Sequence, residues 1–585
     1  MALDGITLFL AVNELKDKIK DAKIDKIFQP RWDEVHFFLR ISDEANRLII
    51  STNANDFRIN LSRFQAKYPK TPYSFCMYLR KHLIGATILD IEQSGLERIV
   101  TFKILARDEL YEYRNLNLIV ELMGKYSNLI ITDENLKVLS CLKHVTFDTS
   151  RVRQMLPGLT YELPPQQKAD PFLMSKGDFL DIITSRGVKS LSKHISLNLQ
   201  GISPASAEAL LSSSIGINFY ESNINKEQEE KLADDLVSFF KKLKKGGVKT
   251  YICTSPVDSL KTFTSLPTGQ DMANQFDSAN EMLDTFFHDK ELKKAISVKK
   301  QYIKKHLKKS IEKTQKLLGI HSQTYEDSKN ALTYKEYADL ITANIFRIER
   351  GMPSVTVQNY YDDMKDVKIP LNVTMTPQKN VQQYYKKYNK LKTAGTLSKK
   401  HMDEAASELD FLLDVDTSVD NVDTLDELEE ILSDLIKEGF IPEKKAQEKG
   451  RKNAKPKEQV SAPASFLSSD GFKIYAGRNN RQNDYVTLRL STPSDIWLHA
   501  KGPGAHVLIK SGNKEVPNNT ILEAAVIAAA LSRQKNSDKA SVDYTAKKNV
   551  WKASGARPGM VLYQSYKTIN VKPDFSLLER LRIKK

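Results

Sequence analysis

Residues 381–412 read VQQYYKKYNKLKTAGTLSKKHMDEAASELDFL. Two series seven residues apart run through them: Val381, Tyr388, Gly395, Met402 and Leu409, and Tyr384, Leu391, Ser398, Ala405 and Leu412. Eight of these ten are apolar, and an apolar seam with a mean spacing of 3.5 residues is what a helix needs to pack lengthwise on another helix. A partner lies upstream. Residues 290–316 hold eleven lysines against Glu291 and Glu312, with Leu292, Ile296, Ile303, Leu307 and Ile311 at helical spacing. The break Gly351-Met352-Pro353 and an extended stretch from Ser354 to Pro377 separate the two, so a long intramolecular antiparallel coiled coil is expected over 269–442.

Downstream of the seam the returning helix turns acidic, with fourteen Asp or Glu and only Lys437 of opposite sign between Asp403 and Glu438. Both charge runs read as solvated coiled-coil faces. Residues 443–465 carry seven Lys or Arg and no apolar period up to Lys457, the composition of a flexible basic linker. A last α/β domain follows over 466–573, with alternation in Phe472–Ala476 and Tyr485–Leu490, a buried helix over Ile521–Leu531, and a short tail at 574–585. That domain has sixteen Lys or Arg against seven acids, a surplus of nine out of the chain's +15. Charge concentrated in one domain favours a polyanionic partner, because several phosphates are neutralised together with release of their counterions.

Upstream of the coil, residues 1–170 mix strand-like runs (Val35–Ile41, Leu48-Ile49-Ile50, Leu118-Ile119-Val120) with a basic-sided helix over Tyr73–Ile84, which describes a mixed α/β domain closing at Leu163-Pro164-Pro165. Residues 171–268 turn helical. There Leu199–Ala207 has two readings: a helix-hairpin-helix whose backbone N–H groups face a phosphate, or an ordinary connection with Ser203 as N-cap and Pro204 in the first turn. The whole is a multidomain α+β chain, and its 585 residues suit about three to five domains.

Several function classes fall away. Cys76, Cys141 and Cys253 are odd in number and far apart, without a CxxC or close His pair, so neither a disulfide framework nor a zinc site is expected. The start lacks a basic region followed by an apolar core, and no run approaches a membrane span; the chain is expected in the cytoplasm, with no membrane partner. His499 and His506 stand seven apart around Gly502-Pro503-Gly504 with no carboxylate or Cys at ligand spacing, so no metal, no cofactor and no catalytic residue is expected.

Two strings stand out as RNA contacts: Ile474–Asp484, with Arg478, Asn479, Asn480 and Arg481, and Asp495–Val507, with Trp497, His499, Lys501 and His506. Arg clamps phosphate, amides read base edges and Trp stacks on bases. Taken singly, Trp497 also reads as core and His499 as a satisfied turn residue. In the first domain, adjacent Glu97 and Arg98 read either as a surface ion pair worth little or as an acceptor and a donor fork offered to one nucleotide. Glu121, Leu122 and Met123 lead the run to Asn128.

With Asp4-Gly5, Leu79–His82, Gly95–Ile99, Glu121–Asn128, Leu156-Pro157-Gly158 and the two C-terminal strings, the chain resembles the NFACT family along essentially its whole length. Bacterial members of that family also go by the name of FbpA-type fibronectin-binding proteins. The resemblance implies NFACT-N, helix-hairpin-helix, coiled-coil-middle and NFACT-R domains in that order. It further implies ribosome-associated quality control: binding of a large ribosomal subunit (rRNA and stalk-base protein) obstructed by peptidyl-tRNA, and recruitment of tRNA, in bacterial relatives alanyl-tRNA, for C-terminal tailing without mRNA. The ribosome would perform peptidyl transfer, leaving this chain no enzyme of its own. The family's Asp-Arg pair maps onto Glu97 and Arg98, and Glu121, Leu122 and Met123 are carried over as tRNA contacts. The family's older name implies fibronectin as an alternative partner, with secondary display at the cell surface. The N-terminal domain also resembles formamidopyrimidine-type DNA glycosylases, whose nucleophile is an N-terminal proline amine; position 2 here is Ala2.

Overall fold

The computed structural model describes residues 3–583 apart from 42–43, 109, 166–167, 186–189, 217–223, 255–260, 267–271 and 444–459, so most of the expected basic linker lies outside the described residues. The chain forms two units, Met1–Leu292 and Lys293–Lys585.

In the first unit, α1 (Gly5–Ile19) starts at Asp4, whose carboxylate accepts the Thr7 N–H. Nine strands follow: β1 (Lys23–Arg31), β2 (Glu34–Ile41), β3 (Glu44–Ser51), β4 (Arg58–Leu61), β5 (Thr87–Gln93), β6 (Ile99–Arg107), β7 (Tyr113–Glu121), β8 (Asn128–Asp133) and β9 (Val138–Cys141), with α2 (Ser74–Leu83) between β4 and β5. They form one antiparallel sheet in the order β4-β3-β2-β1-β5-β6-β7-β8-β9. Its middle joint pairs Lys23 of β1 with Thr87 of β5, flanked by backbone hydrogen bonds from Ile24 to Ala86 and from Ile88 to Ala22. Helices α3 (Lys176–Thr184), α4 (Leu191–Asn198), α5 (Pro204–Ile215) and α6 (Lys226–Lys244) match the helical expectation. The three-stranded sheet of β10 (Thr250–Thr254), β11 (Lys261–Thr264) and β12 (Met272–Phe276) departs from it. β-Branched and aromatic residues in Thr250-Tyr251-Ile252-Cys253-Thr254, paired on both edges, favour the pleated form there. Ile6 and Leu8 of α1, Phe102 of β6, Phe179 of α3 and Leu232 of α6 share one core.

Helix α7 (Ala279–Ser328) supplies its first turns to the first unit and the rest to the second, where α8 (Ala331–Ala343), a hairpin of β13 (Ser354–Asn359) and β14 (Lys365–Pro370), and α9 (Pro377–Asn421) follow. Ser328 meets Gly395, His321 faces His401, Thr314 donates to Glu408 and Lys304 pairs with Asp420, so the helices run antiparallel as the heptads predict. Gly395 fits its seam position because a Cβ there would stand 2.3 Å from Ser328 Oγ. Thr424 and Glu427 then form a capping box on α10 (Leu425–Lys437).

The last domain is a six-stranded antiparallel sheet of β15 (Ala464–Leu467), β16 (Lys473–Ala476), β17 (Ile496–Ala500), β18 (Val507–Ile509), β19 (Ala540–Ala546) and, after the small pair β20 (Val550–Trp551) and β21 (Leu562–Tyr563), β22 (Lys567–Val571). Helices α11 (Asn480–Tyr485), α12 (Asn518–Ala530) and α13 (Phe575–Leu581) complete it, and α12 is the expected apolar helix. The alternation at Tyr485–Leu490 is not a strand. Asn479 caps α11, and the chain continues as a π-helical turn over Val486–Leu490 that buries Val486 and Thr487. A short alternating run also satisfies one buried helical face, and the local cap decides between the two.

Candidate nucleic-acid interfaces

Arg98 lies where three backbone segments touch. The Gly5 N–H donates to the Gly201 carbonyl at 2.8 Å, and a Cβ on Gly5 or Gly201 would come within 2.1 or 2.2 Å of the Leu96 carbonyl oxygen. Only glycine fits at either place, and Gly201 also has a φ of +66°. Across this joint the Ser206 hydroxyl donates to Asp4 at 2.5 Å, while Ser203 caps α5. The hairpin turn is therefore packed onto the Asp4 and Leu96 segments, and the α5 N-terminus is met by the chain's own carboxylate.

The following turn is held by Gln93 donating to the Glu97 carbonyl and by Leu122 N–H donating to the Arg98 carbonyl. The Arg98 guanidinium is half-buried and stands 5.7 Å from the Phe57 ring centroid. Burial pushes its pKa down, while the Asp4 and Glu97 charges oppose that shift. Lys168, donating to the Ser196 carbonyl, is lowered by burial and by Arg98. Among the described residues no ion pair engages Arg98, and Glu97 does not close on it. Arg98 is a positioned donor fork with spare hydrogen-bonding capacity. Asp4, Phe57 and Lys168 complete the setting; they are 40 to 95 residues away in sequence, and of the three only Asp4 stands in a motif legible there.

The structure puts Glu121, Leu122 and Met123 beside Arg98 in the chain fold but mostly beneath the surface. Glu121 is buried, receiving both Arg153 Nη atoms at 2.6 and 3.1 Å and the Tyr161 hydroxyl at 2.9 Å. Leu122 is core, and the Met123 N–H donates to Ser127 Oγ.

The C-terminal strings are one packed element. The His506 N–H donates to Asn483 Oδ1 and the Gly477 N–H to the His506 carbonyl. Trp497 is fully buried, and its indole N–H donates to Thr487 Oγ1 at 3.1 Å. That hydroxyl also lies 2.8 Å from His506 Nδ1, so it bonds both rings. His506 is buried and held well below the usual imidazole range, by burial first and then by His499. His499 stacks on Trp497 and is pushed down to about 4 by burial, against the Gly504 backbone and Asp543. Lys501 is exposed, 3.7 Å from Asp543.

The acidic helix is the unexpected neighbour. Arg478 pairs with Glu427 and, at 3.4 Å, with Asp423; Arg481 grips Asp434 bidentately at 2.6 and 3.0 Å; Asn479 donates to Glu430 and Gln482 to Glu427. Asn480 is buried against Gly559. The acidic run is thus not a purely solvated face, because Glu427 is only 1 % exposed and α10 is bound to the arginine string. A charge count along the chain locates both runs without showing that they meet.

Among the described residues no group of three or more His, Cys, Asp or Glu is placed to hold a metal ion, and no helix is long and apolar enough to cross a membrane. The three cysteines are buried.

The family model described as NFACT N-terminal and middle domains matches residues 4–455, and that described as NFACT protein RNA binding domain matches residues 463–565. The chain is 33% identical over 591 aligned residues to the Rqc2 homolog RqcH of Bacillus subtilis (strain 168), and 30% identical over 589 to that of Streptococcus suis (strain 05ZYH33), in both cases over the full length of both chains. The N-terminal part of the fibronectin/fibrinogen-binding protein from Streptococcus suis, a solved structure, is 27% identical, covers 49% of this chain and 100% of its own, and superposes with a TM-score of 0.42. With its N-terminal, middle and RNA-binding domains all matched in order, the chain belongs to the NFACT family.

Proposed function

We propose that the protein works in ribosome-associated quality control: it binds large ribosomal subunits obstructed by peptidyl-tRNA and positions an incoming tRNA, alanyl-tRNA by analogy with bacterial relatives, for mRNA-independent tailing of the stalled chain. The observation that carries this reading is the end-to-end likeness to proteins named as Rqc2 homologs, with an RNA-binding domain at the C-terminal end. The geometry supports a positioning role. Arg98 offers an unpaired guanidinium beside Glu97, held by a glycine-tight joint, in a setting where charge-assisted hydrogen bonds to phosphate or base edges are strong. Peptidyl transfer is left to the ribosome. The test is co-sedimentation of the purified chain with large subunits carrying peptidyl-tRNA, together with tailing in cells. Binding of the unaltered chain and loss of tailing in Arg98→Ala are expected; failure to sediment refutes the function, and intact tailing in Arg98→Ala refutes the site.

A further inference from the structure

The arginine string of the last domain is occupied by α10, yet the domain carries a charge surplus of nine. Much of the rest is also paired within the chain: Lys510 with Asp495, Lys552 with Asp484, Lys535 with Asp420, and Arg557 with Glu438. Five residues at two adjoining turns differ. Lys547 and Lys548 lead into β20, which ends at Trp551; Tyr566 leads into β22, which begins at Lys567. Thr545 Oγ1 donates to the Ser565 carbonyl at 3.0 Å, Gln564 N–H donates to the Asn549 carbonyl, and Lys567 pairs with Tyr544 across β19 and β22, so the turns are bound to each other. Among the described residues no ion pair engages Lys547, Lys548 or Lys567. Trp551 and Tyr566 are 43 % and 48 % exposed, although each belongs to a residue type with much apolar area to bury. The nearby acid, Asp543, is buried and receives the Tyr563 and Thr568 hydroxyls.

We propose that the last domain contacts single-stranded RNA through this face, with Lys547, Lys548 and Lys567 on phosphates and Trp551 and Tyr566 stacking on unpaired bases, while Arg478 and Arg481 hold α10. The inference rests on the RNA-binding reading above and adds to it the place of contact. Free cations alternating with exposed rings are what sequence-tolerant single-strand binding requires, since every base has a π-face and every nucleotide a phosphate. A protein partner would be served less well by three unpaired lysines around two rings, because lysine is depleted in protein interfaces.

The test is binding of the full chain to a fluorescein-labelled 12-nucleotide uridine-rich RNA across a salt series. Trp551→Ala/Tyr566→Ala and Lys547→Ala/Lys548→Ala/Lys567→Ala are compared with a control, Lys473→Ala/Lys514→Ala, which removes two other exposed lysines of the domain. Each face variant is expected to bind at least about tenfold more weakly. The lysine variant should also flatten the slope of log affinity against log salt by about two, at roughly 0.7 per single-strand phosphate contact. The control should stay within twofold of the unaltered chain. Face variants that bind as the unaltered chain does, or a control that loses as much, overturn the face. An unaltered chain that binds neither this RNA nor large subunits overturns the RNA reading itself. Unchanged thermal unfolding of the variants, whose altered side chains lie at the surface, keeps a loss of binding from being a loss of fold.

Discussion

Arg98 and the Arg478–Arg481 string look alike in sequence, each a guanidinium beside polar or acidic neighbours after a turn, and the fold treats them in opposite ways. Arg98 is half-buried, adjacent to an acid in sequence and unpaired in space. Arg478 and Arg481 follow no acid closely in sequence, but each is seized by α10, through Glu427 and Asp434, from some fifty residues away. Burial without a partner costs stability. Under the proposed function, Arg98 keeps its hydrogen-bonding capacity for tRNA, whereas the paired arginines spend theirs inside the fold. Spatial pairing, rather than residue type, separates the two.

The joint under Arg98 gives the largest expected effect. Gly201→Ala would set a Cβ 2.2 Å from a carbonyl oxygen in a left-handed conformation, and unfolding by calorimetry should show a loss of at least about 3 kcal/mol in the first unit. A milder change would mean that the hairpin turn can shift, and that the joint does not hold Arg98. Next comes the paired string: Arg478→Ala strands buried Glu427 and should cost about 3 kcal/mol in the second unit. Adding Glu427→Gln should recover part of that cost, and strict additivity would deny the pair.

Buried carboxylates sharpen the contrast between the units through pH. In the first, burial of Glu34 disfavours its charge, but the His36 hydrogen bond and the Arg58 and Arg31 charges outweigh that and hold it at about 2. Its contribution is present above the unfolded value near 4.5 and is lost as pH falls toward 2, on the order of 3 kcal/mol in all. In the second, burial and then Asp410 raise Asp414 to about 7, against a Gly504 backbone bond. The folded state then holds a proton that the unfolded chain releases near 3.8, so this group weakens the unit as pH rises from about 4 to 7. Melting curves at pH 5 and 8 should show Asp414→Asn gaining over the unaltered chain at both, and by about 3 kcal/mol more at the higher pH. Glu34→Gln should remove the acid-side loss of the first unit. The smallest stability change belongs to Arg98→Ala, expected within about 1 kcal/mol because no ion pair is broken.

The coiled coil was the most legible element, because a heptad over 32 residues fixes both helix and seam, down to Gly395 and Ser398 at the buried positions. Short alternations were less so. Tyr485–Leu490 has a strand's pattern, and the Asn479 cap and the Thr487 hydroxyl bonded to Trp497 and His506 make it helical. Of the candidate sites, Arg98 could be named from its motif and Asp4 from another, while their nearness to each other and to Phe57 and Lys168 arrives through tertiary contact alone. Trp497 and His506 illustrate the converse: a distinctive string is distinctive partly because its hydrogen bonds are made inside.

Sequencing of the tRNA that co-purifies with the unaltered chain, Arg98→Ala and Arg481→Ala tests the division between the two arginine sites most directly. One dominant isoacceptor with the unaltered chain, lost in Arg98→Ala and kept in folded Arg481→Ala, is the predicted result. Full enrichment on Arg98→Ala, or its selective loss from a folded Arg481→Ala, would contradict it.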